Sequence, residues 1–253
     1  MSEAHRNHKP HYTHLTHVTH AKRVAFTLAK LLITLAIIGI VAAMTIPTLV
    51  AKYQEKVTVT RFKWVYSTLA NAFTMAVAEN GVPETWDLNT PESMANILSK
   101  YMRISEKCHH TKGCFPDNVD VVALTGESRY GTIGNLDLYV KEKFNNGIVL
   151  LYTSVNKNCA YVYTDSEGTP HNMTNNCGTI YAFITTNKFN RMGLDHFNFV
   201  ITSKGILPLG YNFNDSEIKQ YCTKNWTSNS NVNGSACGEW IRRWNNADYW
   251  YKD

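Results

Sequence analysis

The chain has 253 residues, with 25 Lys and Arg against 20 Asp and Glu, a formal net charge of +5, 44% hydrophobic and 18% charged residues. That balance excludes a disordered charged tail, a collagen-like chain and a polytopic membrane protein. A charge of +5 over this length is too small to mark a nucleic-acid binder.

Residues 1–23 are polar and of low complexity. His5, His8, His11, His14, His17 and His20 recur at a spacing of three. On an α-helix that step drifts by about 60° per repeat, so the imidazoles form no stripe. The segment reads as a polar leader rather than a metal-binding tract. Lys22 and Arg23 then make a short basic step, and beyond Lys30 the residues 31–51 carry no charge. At about 1.5 Å per residue this run spans roughly the 30 Å hydrocarbon core of a bilayer. Positive charge before it and a long domain after it predict one pass, with the N-terminus inside. A secretory signal peptide is shorter in its apolar part and ends at a small-residue cleavage site, which Ala42 and Ala43 supply only in part. Here the apolar run continues past Pro47 into a periodic helical sequence.

The residues Lys22-Arg23-Val24-Ala25-Phe26-Thr27-Leu28-Ala29-Lys30-Leu31-Leu32, then Gly39, Ala42-Ala43 and Pro47, resemble the prepilin cleavage and methylation segment of type IV pilins and type II secretion pseudopilins. The resemblance covers roughly residues 22–60. It implies that a prepilin peptidase cuts between Ala25 and Phe26 and that the new Phe26 amine is N-methylated. It also implies an apolar helix that assembles through Lys30, Gly39 and Pro47 into a filament core. Two positions depart from the family. Ala25 replaces the usual glycine before the cut, and Lys30 stands where most pilins carry a glutamate that neutralises a neighbour's N-terminal amine. Two buried cations are not tolerated as a carboxylate–ammonium pair is. Lys30 therefore marks a side chain that snorkels to the headgroups, a minor or tip subunit, or a protein that stays in the membrane.

Pro47 removes one helical hydrogen bond and bends the axis. Periodicity then resumes to about Glu79, with Phe62, Val65, Leu69, Ala72 and Ala76 on one apolar face and Lys52, Gln54, Lys63 and Asn71 on others. Asn80-Gly81-Val82-Pro83 is the stop signal. Thr90-Pro91-Glu92 starts a short helix to about Met102. Strand-like runs follow at 119–124, 136–140, 148–155, 160–164, 180–186 and 197–202, separated by Asn, Gly, Ser and Asp, and Asn146-Gly147 is the best turn signal. The expected organisation is a leader at 1–25, a long helix at 26–81 with a transmembrane first half, and an exported globular domain at 82–253. The expected class is α+β and pilin-like, the helix packed on an antiparallel β-sheet with disulfide-bonded loops. Asp195-His196-Phe197-Asn198-Phe199 with Gly205-Ile206-Leu207-Pro208, and Cys237-Gly238-Glu239-Trp240-Ile241 near the end, are similar to segments of large bacterial pilin-like proteins.

Cys108, Cys114, Cys159, Cys177, Cys222 and Cys237 all follow the apolar run. An even count in an exported domain predicts three disulfides, although six cysteines allow fifteen connectivities. Pairing neighbours would staple three local loops. Cys108-His109-His110 with Cys114 holds two thiols and two imidazoles, yet the spacing matches no strong zinc pattern. Asp165-Ser166-Glu167-Gly168 is far short of a calcium loop and reads as a polar turn. No nucleophile elbow, His-Glu-x-x-His or phosphate loop is present, so neither catalysis, a metal nor a cofactor is expected. His171 and His196 are isolated in sequence. Trp240, Trp244, Tyr249, Trp250 and Tyr251, with Arg242 and Arg243, read first as packing and second as an adhesive or DNA-contacting surface.

The sequence thus predicts a non-enzymatic filament subunit, a minor pilin or pseudopilin. By resemblance its partners are prepilin peptidase, other subunits and an inner-membrane assembly platform. The alternative is a membrane-anchored binding protein that does not polymerise. Removing residues 1–25, where Arg6, Lys9, Lys22 and Arg23 outnumber Glu3, takes three of the five charges and leaves a nearly neutral mature chain.

Overall fold

The computed structural model describes residues 18–111, 113–115, 119–126, 128–132, 139–164, 170–186, 189–225 and 233–251. The chain divides into two compact units, Met1–Ala51 and Lys52–Asp253. One helix, α1 (Val18–Asn80, 63 residues), supplies the secondary structure of the first among the described residues and opens the second. Its first described residue, Val18, lies inside the predicted leader, and the helix continues through Pro47. It stops where the sequence predicts. Gly81 adopts φ +77°, which a Cβ would disfavour, and its N–H closes on Val77 O at 2.9 Å.

The second unit is α+β. After α1 come α2 (Pro91–Ser99), the strands β1 (Ile104–Lys107), β2 (Asp120–Val122), β3 (Ser128–Thr132), β4 (Val140–Phe144), β5 (Val149–Val155), β6 (Ala160–Thr164), β7 (Pro170–Thr174), β8 (Gly178–Phe183), β9 (Phe189–Arg191), β10 (His196–Thr202) and β11 (Gly205–Pro208), and then α3 (Asp215–Tyr221), α4 (Cys237–Trp244) and α5 (Asp248–Tyr251). The main sheet has the order β1-β4-β5-β8-β10-β11, antiparallel throughout. A three-stranded sheet, β3-β2-β9, contains a parallel β2/β9 pair, and β6 and β7 form a hairpin.

The packing follows from strand alternation. Leu150 and Tyr152 of β5, Ile180 and Ala182 of β8, and Phe197, Phe199 and Ile201 of β10 point to one face. They meet Phe62, Val65, Leu69, Ala72 and Ala76 of α1 there, all at most 1% exposed. The predicted helical face is therefore the core face. Val149, Leu151 and Phe183 point to the other side and join Phe115, Val119 and Val121 with the Cys108–Cys114 pair in a second core. Both faces of the sheet are covered, and every residue of β10 is buried. That is why its polar members His196, Asn198 and Thr202 also lie inside. At the Asn146-Gly147 turn, Gly147 has φ +82° and closes β4 onto β5 through its N–H to Phe144 O at 3.0 Å. α2 begins at the expected Pro91, with Thr90 as N-cap in a capping box with Ser93. It ends at Ser99, short of the expected Met102.

Candidate functional site

The first unit presents an apolar helix whose described side chains are largely exposed. From Leu28 to Val50 its thirteen large apolar side chains are each 44–72% exposed. Removing them from water is worth on the order of 20 kcal/mol by area bookkeeping, so this surface demands an apolar environment. Its polar groups are suited to one. The hydroxyls of Thr34, Thr45 and Thr48 donate to Leu31 O, Val41 O and Thr45 O, each at 2.9 Å. No threonine along this stretch depends on water for those bonds. Lys30 carries the one charge between residues 27 and 51 and is exposed. A Cβ at Gly39 would meet nothing within 4 Å, so the glycine leaves a shallow gap open to the surroundings. The helix is long and apolar enough to cross a membrane.

Within the second unit, the first turns of α1 are locked by the end of the chain. Glu55 Oε1 accepts the Ala247 N–H at 3.0 Å, and Thr58 Oγ1 lies 3.5 Å from the Tyr251 hydroxyl. Lys63 donates to Asn245, whose left-handed φ of 58° ends α4. Phe62 sits edge-on to Phe197 at 4.9 Å and stacks with Phe199 at 5.7 Å. Over Phe62 lies Gly238, where a Cβ would come within 3.1 Å of the ring. The next residue, Glu239, is fully buried and accepts from Arg242 Nη2 and Arg243 Nε, both at 2.6 Å. Arg243 also reaches Asp215 at 2.8 Å and Phe213 O at 2.6 Å, tying α4 to α3. The hydrogen bonds to Glu239 hold both guanidinium groups above their ordinary pKa. Trp240 packs edge-on to Trp244 at 4.6 Å and Tyr249 at 5.6 Å, with its indole N–H on Asn246 and Asp248. The aromatic C-terminus therefore packs, and its two arginines are engaged by Glu239.

A family model described as a family of unknown function, DUF6613, matches residues 48–246. The chain belongs to that family. The matched stretch covers most of the second unit and leaves out residues 1–47. No curated protein and no solved structure matches the chain.

The sequence-predicted residues fall as follows. Ala25 and Phe26 lie on the helical backbone of α1, and their side chains are outside the described ones. Lys30, Gly39 and Pro47 are on the exposed apolar stretch. The six cysteines pair as neighbours, Cys108–Cys114, Cys159–Cys177 and Cys222–Cys237. The first of these closes off the zinc alternative at Cys108-His109-His110, because both thiols are consumed in the bond. Glu106 beside that disulfide gains no metal partner from it, and His110 pairs with Glu92 instead. The turn at 165–168, and residues 136–138 of one predicted strand, lie outside the described residues.

Sequence reasoning missed β1, β3, β7 and β9, all short, and α3–α5, and its strand at 136–140 meets β4 only at Val140. For α3 a signal was present. Asn214 caps the helix by accepting from Ser216 N and Glu217 N at 2.9 and 3.0 Å, while Glu217 accepts the Asn214 N–H at 2.7 Å. Asn-x-x-Glu is the reciprocal cap spacing.

Proposed function

We propose that this protein is a structural subunit of a bacterial type IV filament or type II secretion pseudopilus, in a minor position. On this reading prepilin peptidase cuts after Ala25 and methylates Phe26. The apolar stretch of α1 waits in the inner membrane with its N-terminus in the cytoplasm. Burial against other subunits, recruited at an inner-membrane platform, then draws it into a filament, placing the disulfide-stapled domain in the periplasm or on the cell surface. The observation that carries the reading is the bare apolar helix with internally satisfied threonines, downstream of Ala25-Phe26 and leading into an α+β domain with three disulfides. The role is mechanical, with no catalytic step and no cofactor.

Mass spectrometry of the mature N-terminus tests it. N-methylphenylalanine at position 26 is the expected result. An uncut chain, or cleavage after Ala43, overturns it. Lys30 favours a second reading, a membrane-anchored binding protein that does not polymerise, because a cation there cannot neutralise a neighbour's amine. Recovery of the protein in sheared filaments selects the first reading, and recovery only in membranes selects the second.

A further inference from the structure

One concavity on the second unit combines chemistry that its packing does not use. It lies between α1, the turn after α2 and the β4–β5 turn, and its volume is about 380 Å³, inside the range of about 300–1,000 Å³ usual for small-molecule pockets. Trp64, Thr68 and Asn71 enter it from one face of α1, at i, i+4 and i+7. The Trp64 indole stands edge-on to the buried Phe144 ring, centroids 5.0 Å apart at 87°, yet remains 39% exposed. It is thus a fixed aromatic plate with a free face. Around it Asn71 and Asn145 are exposed and make no side-chain hydrogen bond among the described residues. Asn146 uses its carbonyl oxygen on Ile148 N at 3.2 Å, which leaves its amide hydrogens free. Arg103 is the lone charged residue in the lining, it is exposed, and it has no carboxylate partner among the described residues.

We propose that this groove binds a carbohydrate carrying a carboxylate, a uronic-acid type of pyranose. The apolar face of a sugar ring covers an indole plate. Carboxamides, each both donor and acceptor, match its vicinal hydroxyls, and one guanidinium pairs with one carboxylate in a charge-assisted fork. A phosphate-rich strand would need several cations, and the groove holds one. An apolar peptide would leave the amides unpaired, which costs binding.

Saturation-transfer NMR on the full chain in detergent micelles, with tri-galacturonic acid and neutral galactotriose as probes, tests the site. The expected result is transfer to ring protons of both, with the acid bound about tenfold more tightly, the worth of one charge-assisted hydrogen bond. Arg103→Gln should erase that preference while galactotriose still binds, and Trp64→Ala should abolish both signals with an unchanged circular dichroism spectrum. If Trp64→Ala does not fold, Asn145→Asp on the exposed turn serves in its place. It should repel the acid and spare the neutral sugar. The proposal is overturned by absence of transfer from either probe, by equal binding of acid and neutral sugar, by signals that persist in folded Trp64→Ala or unchanged in Asn145→Asp, or by equal transfer to a polyglutamate peptide.

Discussion

Glu142 is buried on β4, where Tyr152 donates to it at 3.0 Å and Lys107 Nζ stands 3.5 Å away, itself hydrogen-bonded to Ser99 Oγ at 2.9 Å. Burial, the largest influence, raises its pKa above the ordinary 4.5, and the Tyr152 bond and Lys107 only partly oppose that. Asp195 is raised from 3.8 in the same way, despite its bonds from Arg191 N and Thr185. The sign of the pH dependence follows. Below the unfolded values both states hold the proton and these groups cost nothing. As pH climbs past about 4–4.5 the unfolded chain ionises first, so stability falls until the folded carboxyls have ionised too. Glu142→Gln keeps an acceptor for Tyr152 and removes the buried charge. Its thermal midpoint at pH 7 should equal or exceed that of the parent, and its decline between pH 4.5 and 7 should be shallower. Superimposable melting curves across that range would refute the assignment. Glu239 shows the opposite solution to burying a carboxylate, because two arginines meet it directly.

Among the elements, the long ones were legible and the short ones were not. The apolar period of α1 over Phe62–Ala76 names its core face because a helix of many turns repeats its signal. β5, β6 and β10 were found as contiguous apolar or β-branched runs. β1 reads Ile-Ser-Glu-Lys and is mostly exposed, so neither hydrophobicity nor alternation announces it. It exists because β4 offers it an edge. The groove around Trp64 was invisible for a different reason, since it joins residues from three elements that only the tertiary fold brings together. Disulfide connectivity was equally undetermined until neighbour pairing emerged. Its consequences differ by loop. Cys159–Cys177 and Cys222–Cys237 close 18 and 15 residues and Cys108–Cys114 only 6. Chain-entropy reasoning assigns about 3 kcal/mol to each of the longer loops and about 2 to the short one. Paired Cys→Ala variants, ranked by urea unfolding, should follow that order. A Cys108/Cys114 variant more damaged than the other two would contradict it.

At the scale of the molecule, one chain holds a unit whose apolar surface is bare and another whose cores are closed on both sheet faces. Cutting before Lys52 keeps Glu55, Thr58 and Phe62 with the second unit and removes the thirteen exposed apolar side chains. That fragment should elute as a monomer without detergent and retain the circular dichroism of a mixed α/β domain, whereas the full chain should require detergent or lipid. Aggregation of the fragment on gel filtration would show that the second unit is not self-sufficient. The bonds from Ala247 to Glu55 and from Tyr251 to Thr58 join residues 192 and 193 positions apart. A chain made N-terminus first therefore has Glu55 and Thr58 waiting for partners that follow 192 and 193 residues later. Long-range closure of that kind is slow and leaves apolar surface open meanwhile. A chain lacking residues 242–251 would therefore lose the bonds to Glu55 and Thr58 and the packing of Tyr249 on Trp240, leaving that side of the core open. That side of the domain closes only when residues 247–251 are in place.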